Sequence, residues 1–341
     1  MSQTPGIIST PPLAQPGPEA EADEPSDHLD ESERRAFSIP ATLHGQRLDR
    51  ALAQLIPEFS RSYLQQLVEE GAVQLQGRAI RKSATAVQAG QAGEIELRPT
   101  PQSQAFRPEA MPLQVVHEDE HLVVIDKPAG LVVHPAPGHW SGTLLNGLLA
   151  RDAKAATLPR AGIVHRLDRD TSGLMVVART RQTMDALVRM IAAREVSRQY
   201  LAMGHRAWSG PASRSVEGAI GRDPRNRLRM AVVDLAQHPG KPARTRFELL
   251  DGHDRGCLVR CTLDTGRTHQ IRVHMASIGH PLVGDETYGG APAAGLHRQA
   301  LHAFRLAFAH PMTGQALDLR SALPSDIADA ARAWGLDYNR G

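Results

Sequence analysis

Gly162-Ile163-Val164-His165-Arg166-Leu167-Asp168-Arg169-Asp170-Thr171-Ser172-Gly173-Leu174 sets a histidine and a run of charged side chains just before the apolar Leu174-Met175-Val176-Val177-Ala178. Five apolar residues in a row read as a buried strand, so the polar residues before it sit on a loop feeding a core element. If His165 to Asp168 is extended, side chains alternate in direction, and Arg166 and Asp168 point the same way. A guanidinium beside a carboxylate favours the ionised form. An ionised, positioned Asp168 is what a nucleophile or general base needs; the plainer alternative is a brace for the loop.

Outward from this loop the pattern stays that of a mixed domain. Met184, Leu187, Val188 and Ile191 mark an amphipathic helix, and Arg198-Gln199-Tyr200-Leu201-Ala202 follows as a strand. Gly221-Arg222-Asp223-Pro224-Arg225-Asn226-Arg227-Leu228-Arg229 carries four arginines, which suits either a solvated hairpin or a loop that grips phosphates. In Thr265-Gly266-Arg267-Thr268-His269-Gln270-Ile271-Arg272-Val273-His274-Met275, the spacing of Ile271, Met275 and Ile278 predicts a helix with one buried stripe. His269 and Arg272, three apart, share another face of it. Upstream, Leu122-Val123-Val124-Ile125 is a buried strand that runs into Lys127-Pro128-Ala129-Gly130.

The N-terminal third differs in character. Residues 1–36 hold eight acids and two bases and almost no large apolar side chains, so a disordered acidic tail is expected there. The remaining residues, 37–341, then carry +8, a basic body that suits a polyanionic partner. Leu48, Leu52 and Leu55 predict one helix, and Ser60 is a good cap for a second bearing Leu64, Leu67 and Val68. Gly71-Ala72-Val73-Gln74-Leu75-Gln76-Gly77-Arg78 alternates as a strand entering a turn. Pro99, Pro101, Pro108 and Pro112 make residues 99–112 a stiff linker.

Two cysteines, Cys257 and Cys261, provide neither a disulfide framework nor a zinc set, and both fall on the apolar side of an alternating strand. The N-terminal residues show neither the basic n-region nor the apolar h-region of a secretory leader, and no apolar run reaches membrane-spanning length, so a cytoplasmic protein without a membrane partner is expected.

The sequence His165-Arg166-Leu167-Asp168-Arg169-Asp170-Thr171-Ser172-Gly173-Leu174 resembles the catalytic motif of the RluA-type pseudouridine synthases. Lys127-Pro128-Ala129-Gly130, the Thr265–Met275 segment, Gly284-Asp285, Tyr288-Gly289-Gly290 and Arg298-Gln299-Ala300-Leu301-His302-Ala303 resemble further family motifs, in the family's order. Gly45-Gln46-Arg47-Leu48-Asp49, Ser60-Arg61-Ser62 and Gly71-Ala72-Val73 resemble the S4 RNA-binding domain. The resemblance implies an α+β chain: an S4-like domain over residues 37–98, and a catalytic domain over 113–335 built on a mixed, mainly antiparallel sheet with flanking helices. His134-Pro135-Ala136-Pro137-Gly138 and Thr143-Leu144-Leu145-Asn146 are similar to the RluD branch. That branch implies a monomeric enzyme acting on 23S ribosomal RNA, at the helix 69 stem-loop, within a large-subunit precursor.

By the same resemblance Asp168 is the nucleophile, Arg272 its ion-pair partner, and Tyr200 packs on the target base. Arg166 is the wedge that replaces a flipped-out uridine. Arg267 is a second candidate for the ion pair with Asp168, or else an RNA contact like His269; Arg47 and Arg61 hold phosphates from the S4-like domain, and Arg225 and Arg227 are the RNA-contact candidates of the arginine-rich loop. The reaction needs neither cofactor nor metal. The rival reading is an RNA-binding ribosome-assembly factor whose binding, rather than isomerisation, matters.

Overall fold

A computed structural model describes residues 33–57, 59–97, 105–136 and 139–338, and the chain divides into two compact units, Met1–Pro99 and Thr100–Gly341. In the first unit, β1 (Glu33–Ser38) precedes helices α1 (Leu48–Leu55) and α2 (Arg61–Glu70). Strands β2 (Val73–Leu75), β3 (Arg78–Ile80) and β4 (Ala92–Leu97) follow, and the antiparallel sheet has the order β1-β4-β2-β3. Ser60 caps α2 by accepting the Tyr63 N–H at 3.3 Å, and Gly71 ends it in the left-handed conformation at φ 81°. Leu48, Leu52, Leu64, Leu67, Val68, Val73 and Ile95 form a core of this unit's own.

The expected acidic tail lies outside the described residues up to position 32, but its boundary at residue 36 is corrected. Glu33 to Ala36 begin β1, with Arg35 opposite Ile95 and Phe37 opposite Gly93. An edge strand is held by backbone hydrogen bonds and tolerates charge, so this segment has no apolar signature. Of the proline-rich linker, residues 99–104 lie outside the described residues.

The second unit is built on a nine-stranded sheet. Its first half runs β5 (Gln114–Glu118), β6 (Leu122–Lys127), α3 (Leu144–Arg151), β7 (Ser172–Ala178), α4 (Arg181–Ala193) and β8 (Ser197–His205). Next come β9 (Ser213–Glu217) and the three short strands β10 (Ile220–Arg222), β11 (Met230–Val232) and β12 (Gly240–Lys241), which make a small sheet of their own. The chain returns through β13 (Arg244–His253), β14 (Gly256–Leu263) and α5 (Gln270–Ser277). It ends with β15 (Leu301–Ala309), β16 (Ala316–Arg320) and α6 (Ser325–Ala333).

The large sheet has the order β5-β6-β7-β15-β8-β14-β13-β9, with β16 on β15. Only β7 and β15 pair in parallel, so it is the mixed, mainly antiparallel sheet expected. Strand β7 explains its own composition. Leu174, Val176 and Ala178 pack with Leu122, Val124, Met184 and Leu187 on one side, while Met175 and Val177 pack with Val123, Ile125, Leu144 and Tyr200 on the other. A strand covered on both faces reads as an unbroken apolar run. Gly173, at φ 115°, is required here because a Cβ would collide with the Ala303 carbonyl of β15.

Two local expectations change. Val188 is exposed, not part of the buried stripe of α4. Helix α5 starts at Gln270, so His269 lies before it rather than on its face, at φ 57°.

Candidate active site

Residues 163–171 form a loop before β7 in which Arg166 is exposed, Leu167 buried and Asp168 part-buried. Arg166 and Asp168 line one cleft of about 610 Å³, shared with Tyr200, Arg198, Arg267, His269 and Arg272. Turns and strands fix the loop from several sides. Lys127, fully buried at the end of β6, donates from Nζ to the carbonyls of Pro128 (2.7 Å), Leu131 (2.9 Å) and Arg169 (2.9 Å). Gly130 N–H also donates to the Arg169 carbonyl at 2.9 Å, and Arg298 Nη1 donates to the Asp170 carbonyl at 3.0 Å. Burial pulls the Lys127 pKa down to about 7, against the charges of Asp170 and Asp168. Its three carbonyl partners are what an ammonium, with three donors, satisfies.

Arg272 comes from α5, on the far side of the cleft. Its Nη1 donates to Asp168 Oδ2 at 3.0 Å, while Nε and Nη2 make a bidentate pair with Asp285 at 2.7 and 2.8 Å. Asp285 and Arg272 are nearly sealed from water, and Asp168 less so. Burial by itself favours a neutral guanidine. The hydrogen bonds and charge of Asp285, with those of Asp168, outweigh it and raise the Arg272 pKa. The Tyr288 ring lies 5.1 Å from Arg272 Cζ, a cation–π contact on the remaining face. Asp285 therefore fixes the plane of the guanidinium and leaves one edge for Asp168.

His269 Nε2 lies 3.9 Å from Asp168 Oδ1, and its Nδ1 is 2.8 Å from Tyr288 Oη. Burial lowers the His269 pKa, opposed by the Asp168 charge. Tyr200, on β8, is buried, and burial, opposed by the charge of Arg198 and reinforced by that of Asp168, pushes its phenol up to about 12. At neutral pH such a phenol keeps its proton, so packing against a planar ligand suits it better than acting as a base.

A short, buried Asp–Arg–Asp chain opening onto a cleft with a tyrosine wall can present one carboxylate to a flat substrate. Comparison with known proteins identifies the family to which the chain belongs. A family profile described as RNA pseudouridylate synthase matches residues 121–277, and the S4 domain profile matches residues 46–92. A curated protein of Neisseria meningitidis serogroup A, "Ribosomal large subunit pseudouridine synthase D", is 43% identical over 325 residues, covering 89% of this chain and 85% of the relative. Its namesake in Nitrosomonas europaea is 46% identical over 307 residues, 87% of each chain. This chain belongs to the RNA pseudouridylate synthase family. The solved structure of human RNA pseudouridylate synthase domain containing 4 shares the fold, with a TM-score of 0.52 at 24% identity over 66% of this chain and 94% of that one.

In this pseudouridine synthase, Asp168, Tyr200, Arg272, Arg166, Arg267 and His269 converge on one cleft, although they come from three separate stretches of sequence. Arg267 donates from Nε to the Pro242 carbonyl at 3.1 Å rather than to Asp168, which leaves Arg272 as the arginine bonded to the carboxylate. Arg225 and Arg227 do not line the cleft. They sit exposed on the loop between β10 and β11, which Asp223 stiffens by accepting from Arg225 N–H (2.9 Å) and Arg229 Nε (2.7 Å). Within the S4 unit, Arg47 and Arg61 are both committed to the buried Asp49, at 3.0 and 2.7 Å. Burial would raise the Asp49 pKa, but hydrogen bonds from the two arginines bring it down to about 2. Both guanidinium groups remain half exposed.

The sequence reading missed how Asp285, Tyr288 and Lys127 act. Each stands in a quoted motif, but nothing in the local pattern says which atoms they hold.

Proposed function

We propose that this synthase converts uridines of 23S ribosomal RNA, in the helix 69 stem-loop, to pseudouridine, with Asp168 as nucleophile. The observation that carries the site assignment is the 3.0 Å bond from Arg272 to Asp168, backed by Asp285, at the mouth of the cleft. The names of its relatives, which match most of this chain, support large-subunit RNA as substrate.

The uridine to be isomerised is stacked in RNA and must turn out, at a cost of a few kcal/mol, to expose its C1′ and N1. Arg166, exposed beside Asp168, is suited to fill the gap that the base leaves. Tyr200 packs on the flipped uracil, and Arg272 holds the Asp168 carboxylate oriented as it attacks either C1′ or C6. The N1–C1′ bond breaks, the base turns, C5 bonds to C1′, the bond from Asp168 to C1′ or C6 is released and the C5 proton departs. Arg267, His269, Arg225 and Arg227 contact RNA around the cleft, and Arg47 and Arg61 do so from the S4 unit. Among the described residues no helix is long and apolar enough to cross a membrane. A monomer acting in the cytoplasm on a large-subunit precursor completes the proposal.

Carbodiimide-dependent primer extension on unmodified large-subunit RNA tests it. Wild type should produce stops in helix 69 and Asp168→Asn none. Stops elsewhere would overturn the target assignment. No stops on naked RNA or on assembled subunits, with RNA binding intact, would favour the assembly-factor reading.

A further inference from the structure

Arg198, at the start of β8, is only 6% exposed, yet its side chain makes no ion pair and no hydrogen bond among the described residues, and its Nε is buried without a partner. Arginine is always charged, and a buried charge is ordinarily paired. Every other buried or half-buried arginine of this site has an acceptor: Arg272 has Asp285 and Asp168, and Arg267 has the Pro242 carbonyl. Arg198 lines the same cleft and stands two residues before Tyr200, on the same face of the strand. Its guanidinium lies under the Thr265–Arg267 turn. A Cβ at Gly266 would stand 2.9 Å from Arg198 Nη1, which explains a residue without a side chain there.

A second orphan donor lies beside it. His165 Nε2 accepts the Val176 N–H at 3.1 Å, so a neutral ring carries its proton on Nδ1, and that atom is buried without a partner. His165 also lines the cleft, and burial together with the charge of Arg198 pulls its pKa down to about 3.

We propose that Arg198, assisted by the His165 Nδ1–H, binds a carbonyl oxygen of the flipped uracil and stabilises the negative charge that gathers there during isomerisation. This assignment rests on the pseudouridine synthase reading above. Attack by Asp168 at C1′ forms a C1′–O bond and expels the uracil with the electron pair of the N1–C1′ bond, spread over its two carbonyl oxygens. Attack at C6 instead forms a C6–O bond and drives the C5–C6 π pair onto the O4 side of the ring. Either way an oxyanion appears on the base. After C1′ attack the pair returns as C5 bonds to C1′, which displaces the Asp168 carboxylate, and the C5 proton is released. After C6 attack the N1–C1′ bond breaks, C5 bonds to C1′, and loss of the C5 proton expels the Asp168 carboxylate from C6. A fixed, water-excluded cation at that oxygen stabilises the transition state more than the ground state. An RNA phosphate offers a similar oxyanion, and the experiment separates the two sources.

Full-length Arg198→Met and Arg198→Lys are compared with wild type on large-subunit RNA, by single-turnover rate at saturating enzyme, RNA affinity against salt, and melting temperature. Arg198→Met should slow the saturated rate by about 100-fold or more, as loss of an oxyanion donor does. Its RNA affinity and salt slope should be unchanged, and its melting temperature should not fall, because an unpaired buried charge has been removed. Arg198→Lys should recover part of the rate. An unchanged rate in Arg198→Met would overturn the proposal. So would a normal saturated rate with weaker affinity and a salt slope shallower by about 0.7–0.9, which is the signature of a phosphate contact. A lowered melting temperature accompanying the rate loss would make Arg198 a structural strut. If wild type itself forms no pseudouridine, it is the isomerase reading that fails.

Discussion

Asp168 sits at the end of a chain of side chains that the sequence scatters over more than a hundred positions. Asp285 is the member whose removal tests this most directly, because it touches Arg272 with two hydrogen bonds and makes no hydrogen bond to Asp168 among the described residues. Asp285→Asn keeps the shape but removes the charge that fixes the guanidinium. Single-turnover isomerisation should fall by about 100-fold while RNA affinity stays within a factor of two or three, since the loss is confined to an interaction that orients the reacting group. Equal losses of rate and affinity would contradict the positioning role. Asp168 and Arg272 were legible in the sequence through their motifs. Arg198 was not, because an arginine opening a strand reads as an exposed edge residue and its burial is a tertiary fact.

His165 adds a pH dependence at the same scale. Its folded pKa, about 3, lies below the ordinary histidine value of about 6.5, and that of His134 falls to about 4, mainly through burial, with Arg166 and Arg160 adding to it. The unfolded chain therefore takes up these protons first as the solution is acidified. The contribution to stability is complete above pH ~6.5 and is lost as pH falls from there toward the folded values. For His165 alone the slope approaches about 1.4 kcal/mol per pH unit between pH ~6 and ~3. Denaturant melts of His165→Gln, which keeps an acceptor for Val176 N–H, should show a shallower decline over that window. A parallel decline would mean that the ring is protonated in the fold.

At the scale of elements, the loop between β10 and β11 is the part most exposed to a partner. Arg222, Arg225, Arg227 and Arg229 all reach solvent from it, and its backbone is closed by Asp223 N–H to the Arg229 carbonyl at 3.0 Å and Leu228 N–H to Asn226 Oδ1 at 3.1 Å. A loop ordered in advance loses little freedom when it grips RNA. Replacing both Arg225 and Arg227 with Gln should weaken RNA binding across sequences and make the slope of log affinity against log salt shallower by about 1.4–1.8, while the rate at saturation holds. An unchanged slope would return this loop to an ordinary solvated hairpin. Most elements were legible in the sequence: α1 and α2 from helical spacing and a serine cap, β7 from its unbroken apolar run. Strand β1 was not, because backbone pairing at a sheet edge leaves no mark on side-chain polarity. The start of α5 was misplaced because Gln270 closes the preceding loop, accepting Arg267 N–H at 3.0 Å and Thr265 Oγ1–H at 2.8 Å.

For the molecule as a whole, each unit has its own core, and the proline-rich stretch between two differently patterned segments pointed to a division there. The sequence by itself determined the α+β class and the order of elements, because periodicity and short motifs are local properties of a chain, and the family motifs singled out Asp168, Arg272 and Tyr200 as candidates. Only the tertiary structure decided that Asp285 and Tyr288 frame Arg272, that Lys127 clamps the Asp168 loop through three carbonyls, that Asp49 occupies Arg47 and Arg61, and that Arg198 is buried without an acceptor. These are contacts between residues far apart in sequence. Which donor meets which acceptor, and which donor is left for a substrate, is settled by packing distances of a few ångströms that no local pattern encodes.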